Sequence, residues 1–332
     1  MEKGIYGINC DPHLSKFQIL PMPFDATASY RRGAARGPLA IFLASKQVEL
    51  LDIDIGSPIK AGIYFHEEPP NISQLNKRSS CLVDKIRKLS NKNHITKYIN
   101  ELQKYTQKNN EFTHKWSNSI LKKQQVPIIL GGDHSTPLGS IIACSERYSN
   151  MGILQIDAHA DLRNTYEGFI DSHASIMYNI LTKTKINNIV QVGIRDYCEE
   201  EALCIEKNHI KVKTFFDSDL RRARLSGNVI NFFKQVLALL PNTIYLTVDI
   251  DGLDPSLCPN TGTPVPGGFR FDEFVTLLEI LTSMDKKIIG MDLVEVAIPH
   301  NLPQHQWGEA MDANIGARVL YKMIGFALKT KP

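Results

Sequence analysis

Short apolar runs rich in β-branched and aliphatic residues recur along the chain at Val126 to Leu130, Gly152 to Ile156, Ile189 to Val192, Ile244 to Ile250 and Lys287 to Met291. Each has the length and composition of a buried strand. Helical periodicity fills the stretches between them. From Asn93 to Gln124 the apolar positions Ile95, Tyr98, Ile99, Leu102 and Tyr105 return every three or four residues, and Phe274, Leu277, Leu278 and Leu281 do the same later. Strands alternating with amphipathic helices predict an α/β fold on a largely parallel sheet, with the helices covering it.

Among the polar stretches, Glu67 to Asn76, with Pro69 and Pro70, is the loosest. There is no internal repeat, low-complexity tract or long Gly/Ser linker, so one domain spanning 1–332 is expected. The segment Asp251 to Gly268 holds four prolines and four glycines. A loop of that length in a compact domain signals function more often than linkage.

Composition narrows the partners. The 332 residues are 43% apolar and 22% charged with a formal net charge of +3, which gives no basic tail and no single-sign block. A small molecule is therefore expected as partner, not nucleic acid. Asp11, His13 and Lys16 interrupt the N-terminal twenty residues and no apolar run reaches membrane-spanning length, so neither a secretory signal nor a membrane is expected and the location should be cytoplasmic. Cys10, Cys81, Cys144, Cys198, Cys204 and Cys258 form no CxxC pair. They should be reduced and mostly buried.

Three of the predicted strands run directly into metal-binding side chains. Gly131-Gly132-Asp133-His134-Ser135 follows the first, Asp157-Ala158-His159-Ala160-Asp161 the second, and Asp249-Ile250-Asp251-Gly252-Leu253-Asp254-Pro255 the fourth. Open parallel sheets gather ligand sites at the carboxyl ends of their strands, so clusters distant in sequence can converge there. Alternation along an extended strand would point Asp157, His159 and Asp161 one way, and Asp249 and Asp251 likewise. A lone Asp at a strand end usually caps the next helix, and a lone His is usually packing. Several carboxylates crowded together are costly unless a cation neutralises them. Mixed imidazole and carboxylate donors suit manganese and related divalent ions, and carboxylates can bridge two ions roughly 3.5 Å apart.

The boxes GGDH, DAHxD and DxDxxDP, in this order, resemble the signatures of the ureohydrolase family of arginases, agmatinases and formiminoglutamases. The likeness extends from Pro23-Phe24-Asp25 and the Tyr30 to Pro38 stretch to Asp292-Leu293-Val294-Glu295-Val296. It implies a three-layer α/β/α sandwich, and assembly as a homo-oligomer, a trimer or hexamer. It implies two divalent ions, Mn2+ by family habit with Ni2+ as the alternative, held by His134, Asp157, His159, Asp161, Asp249 and Asp251, with Asp161 and two other carboxylates as bridges. His173 falls where the family has a proton-shuttling histidine, and Glu295 where a carboxylate grips the guanidinium group. The implied reaction cleaves a guanidino C–N bond and releases urea, with Asp161 as the candidate proton donor to the leaving amine.

The sequence departs from the family in two places. Ala174, not Gly, follows His173, and Val294-Glu295-Val296-Ala297-Ile298-Pro299 lacks the asparagine common after this strand. The Tyr166-Glu167-Gly168-Phe169 and Ser172-His173-Ala174-Ser175 stretches and Ala313 to Arg318 resemble a divergent agmatinase-like branch that includes nickel-dependent guanidine hydrolases. Agmatine, free guanidine, arginine and formiminoglutamate all stay open as substrates; the last would need a cationic anchor such as Arg163, Arg195 or Arg270. A metallophosphoesterase or a non-catalytic family member are the competing classes.

Overall fold

The computed structural model describes residues 4–89 and 92–330. Eight strands form one sheet: β1 (Phe17–Met22), β2 (Ile63–Phe65), β3 (Val126–Gly131), β4 (Met151–Ile156), β5 (Ile189–Ile194), β6 (Val212–Phe216), β7 (Thr243–Asp249) and β8 (Lys287–Val294). Their spatial order is β2-β1-β3-β8-β7-β4-β5-β6, and every neighbouring pair is parallel.

The strands β3, β4, β5, β7 and β8 match the five apolar runs to within a few residues, and β1, β2 and β6 were not expected. β1 carries Pro21, which pairs in register with Leu130 and reads as a strand breaker in sequence. β2 has three residues and β6 is largely half-buried; both are edge strands, where the apolar pattern is weakest.

The central strands are apolar on both faces because both are covered. On β4, Leu154 and Ile156 join a core with the helices Gly37–Ala44, Val229–Ala238, Phe271–Ser283 and Met311–Lys329. The alternate residues Met151 and Ile153 face a second core with the helices Leu138–Arg147 and Ile176–Lys183. Lys92–Lys122, the helix expected over 93–124, packs Leu102 against Leu82, Val83 and Ile86 of the helix Ile72–Lys88. The resulting layers are helix, sheet, helix, an α/β sandwich.

Two expectations are corrected here. The loose stretch ends at Asn71, since Ile72 to Asn76 is already helical and Ile72 docks onto Leu20, Met22 and Ile129. The six cysteines are free, but only Cys144 and Cys258 are buried, and Cys81 is exposed. No helix among the described residues is long and apolar enough to cross a membrane.

Candidate metal centre

The four central strands β3, β8, β7 and β4 are neighbours, and each delivers functional side chains at its carboxyl end. After β3 the chain turns sharply, with Gly132 N donating to Met22 O and Asp133 N to Phe24 O. A Cβ on Gly132 would lie 2.0 Å from Phe24 O, so the box tolerates only glycine there. Asp133 accepts from Thr27 N and Oγ1 and from Ser135 N, which ties the strap after β1 to this turn and leaves His134 to face the site.

Strand alternation does not place the other ligands. β4 ends at Ile156, before Asp157, and the five residues Asp157 to Asp161 leave it as an irregular loop in which Asp161 has φ 54°. β7 ends at Asp249, and Asp251 lies in the 3-10 turn Ile250–Gly252, its amide donating to Asp249 Oδ1 at 2.9 Å. Local turns bring these side chains together, locked by Ala158 N donating to Asp251 Oδ1 at 3.1 Å.

All six expected ligands converge. His134, Asp157 and Asp249 offer donor atoms within 4.8 Å of one another, as do Asp157, His159 and Asp251. His134 Nδ1 lies 3.0 Å from Asp157 Oδ2, 2.9 Å from Asp161 Oδ2 and 3.4 Å from Asp249 Oδ2. His159 Nδ1 lies 3.1 Å from Asp251 Oδ2 and 3.6 Å from Asp157 Oδ1. Asp157 is thus the residue common to both groups, one oxygen toward each histidine. Asp161, expected as a bridge, is placed against His134.

The donor set fits a pair of divalent cations. Thr247 Oγ1 donates its proton to Asp292 Oδ1 at 2.8 Å, so it can only accept from His134 Nε2, 2.9 Å away. That leaves Nδ1 as the atom facing three carboxylate oxygens, carrying a proton when no cation is bound and free to offer its lone pair to a cation that displaces it. Ligands on one ion at about 2.1 Å and right angles stand roughly 3 Å apart, the spacing found around His134 Nδ1.

The charge balance agrees. Burial, then Asp251 and Asp157, raises Asp249 well above the usual carboxylate range, and burial with Asp157 pushes Asp161 up to about 7. Burial lowers the affinity of His134 and His159 for protons, but the facing carboxylates outweigh it and hold both well above an ordinary imidazole. Burial, then Asp249, Asp133 and Asp251, also raises Glu295. The site attracts positive charge, and protons answer that demand only in part.

Beside this centre a cavity of about 190 Å³ is lined by Ser29, His159, Asp161, Arg163, Tyr166 and His173, among others. The His173 ring lies 3.4 Å from Thr27 Oγ1 and 3.3 Å from Ser29 Oγ, with Tyr166 edge-on at 5.7 Å. Burial and the nearby His159 and His134 lower its pKa to about 3, so it is neutral near pH 7. Glu295, at φ 61°, accepts from His134 N through Oε1 at 3.0 Å, while Thr261 Oγ1 donates to its carbonyl. Asp251 to Gly268 is indeed irregular, and Thr261 and Thr263 bring it onto the site.

Of the three arginines considered as anchors, only Arg163 reaches the cavity. Arg195 Nη2 donates to the carbonyls of Asp251, Leu253 and Val265, and Arg270 pairs with Asp272 at the surface. Thr27 and Ser29 were missed in sequence although they lie just after Pro23-Phe24-Asp25; single hydroxyls carry no spacing signal.

The arginase family model matches residues 15–325. The chain is 31% identical over 308 residues to the N(1)-aminopropylagmatine ureohydrolase of Thermus thermophilus, covering 92% of this chain and 88% of that one. It is also 31% identical over 284 residues to an arginase of Staphylococcus aureus, covering 81% and 86%. The agmatine ureohydrolase structure of Thermoplasma volcanium superposes with a TM-score of 0.75 at 23% identity over 99% and 95% of the two chains. With the sheet, the two-histidine carboxylate centre and this match over nearly its whole length, the chain belongs to the arginase family of metal-dependent hydrolases that cleave guanidino C–N bonds.

Proposed function

We propose that the chain releases urea from a small guanidino compound whose tail is cationic or absent, in the manner of an agmatinase. The observation that carries the reaction is His134 Nδ1, a buried ring nitrogen among three carboxylates that share Asp157 with a second histidine. These residues would hold a pair of divalent ions, manganese or nickel, which would lower the pKa of water from 15.7 to near 7 and so make it a nucleophile.

The protein's own residues do the rest. Glu295, its Oε1 already held by the His134 amide, orients the planar cation by charge-assisted hydrogen bonds. Asp161 takes a proton from the attacking water and passes it to the departing nitrogen, whose C–N bond breaks as the carbonyl of urea forms. Neutral His173, linked to Ser29 at the cavity wall, relays the hydroxyl proton lost as that carbonyl forms toward the departing amine or solvent.

The cavity argues for the tail. Arg163 lies over the Tyr166 ring at 4.8 Å, with its Nε 3.5 Å from Glu201, so its charge is engaged, whereas Asp196 stands on the rim with its side chain 68% exposed. Among the described residues lining the cavity, a carboxylate tail meets only Arg163, already engaged with Glu201 and Tyr166; an ammonium tail meets Asp196. Free guanidine is the second reading, favoured by size, since 190 Å³ lies below the usual range of about 300–1,000 Å³ for ligand pockets.

Urea release from agmatine, guanidine, arginine and guanidino acids, assayed on manganese- and nickel-loaded protein, tests this. Turnover is expected with agmatine or guanidine and not with arginine. Urea from none of them with both ions bound would sink the guanidino assignment and turn attention to formiminoglutamate.

A further inference from the structure

One sheet rank below the candidate ligands, the apolar pattern of β8, β7, β4, β5 and β6 breaks together along one register line. Asp292 of β8 pairs with Thr247 of β7, Thr247 with Gln155 of β4, Gln155 with Gln191 of β5, and Gln191 with Thr214 of β6. Residues in register on parallel strands point to the same face, so five polar side chains form a row across five adjacent strands. Gln155 follows Ile153 on the face covered by the helices Leu138–Arg147 and Ile176–Lys183. Asp292, Thr247, Gln155 and Gln191 are fully buried.

Burying two amides is costly unless their donors and acceptors are used, and here they are. Thr214 Oγ1 donates to Gln191 Oε1 at 2.7 Å; Gln191 Nε2 donates to Gln155 Oε1 at 2.6 Å and to Ala160 O at 2.7 Å. Gln155 Nε2 donates to Asp157 Oδ2 at 2.8 Å and to His159 O at 3.3 Å. Apolar side chains would fill the same space without this wiring. What the row gains is contact with the ligands, through two separate branches: His134 with Thr247 and Asp292, and Asp157 with Gln155 and Gln191.

We propose that this row is the positioning layer of the metal centre, with Thr247 and Asp292 fixing the tautomer and aim of His134, and Gln155 and Gln191 fixing the shared carboxylate of Asp157 and the turn at His159 and Ala160. The proposal rests on the two-ion reading of the centre. Because His134 belongs to one donor group and Asp157 to both, the branches would have different signatures. Partners of this kind change metal affinity by about 10–100-fold when removed.

The test is calorimetric titration of chelator-stripped protein with manganese chloride, with circular dichroism to confirm folding. Thr247→Val and Thr247→Ala are expected to weaken one of two binding events by about 10–100-fold and leave the other, and Thr247→Ser to restore both. Gln155→Leu is expected to weaken both events. Wild-type affinities in folded Thr247 and Gln155 variants would overturn the proposal, as would equal weakening of both events by every variant. Fewer than two ions bound by the wild-type protein, with nickel as with manganese, would overturn the two-ion centre and the proposal with it.

Discussion

His134 and His159 offer the same imidazole to the same carboxylate, yet their surroundings differ. The His134 side chain is 1% exposed and faces three carboxylates, with its far nitrogen held by Thr247. The His159 side chain is 23% exposed, faces Asp251 and Asp157, and turns its far nitrogen toward Asp196 on the rim, 3.8 Å away. Solvent reaches the His159 side chain but not that of His134, so the inner position is part of the core and the outer one lines the cavity.

The strongest way to break this comparison is to delete each histidine in turn. His134→Asn leaves buried carboxylates without their partner and should remove one ion and all urea release, with a stability loss of about 3–5 kcal/mol. His159→Asn should keep one ion per chain and most of the stability. Metal analysis and thermal melts decide it, and the reverse order of damage would show the two positions to be misassigned.

A smaller effect is expected at the cavity wall. His173→Asn should lower urea release by about 10²–10⁴-fold while both ions stay bound, since His173 lines the cavity and is no ligand. Loss of metal in this variant would make it part of the centre instead.

The smallest effect sharpens the contrast with a histidine remote from the metals. Burial, with Lys123 nearby, lowers His66 to about 4; its Nε2 donates to Gln18 Oε1 at 2.8 Å and its ring meets Trp116 edge-on. The unfolded chain takes up this proton near pH 6.5 and the folded chain only near 4, so the contribution is present above 6.5 and lost progressively as pH falls toward 4. His66→Gln should flatten that part of the melting-temperature profile, equally with and without manganese. A profile unchanged by the substitution would assign the slope elsewhere.

The legible part of this molecule is what is written locally. The six candidate ligands stood out because each group follows an apolar run within a few residues, and the central strands because both faces are covered. Local order also misled: the spacing of Asp157, His159 and Asp161 suggested one strand face, and the structure uses a loop instead. Gln155, Gln191 and Thr247 could not be read at all. Each is one polar residue in an apolar strand, and its meaning comes from the register of strands more than thirty residues apart in sequence.

Two of the carboxylates given roles in the proposed reaction, Asp161 and Glu295, sit on left-handed backbone, at φ 54° and 61°. For Glu295 that conformation costs roughly 1–2 kcal/mol, and less for Asp161, since Asp like Asn tolerates it; Gly avoids it at both. A laboratory selection for heat tolerance alone therefore has two inviting positions, and both lead away from catalysis. Variants recovered from such a screen with Gly at Asp161, or with Asn or Gly at Glu295, would be sturdier proteins and poorer enzymes, so thermal selection on this scaffold needs a turnover requirement alongside it.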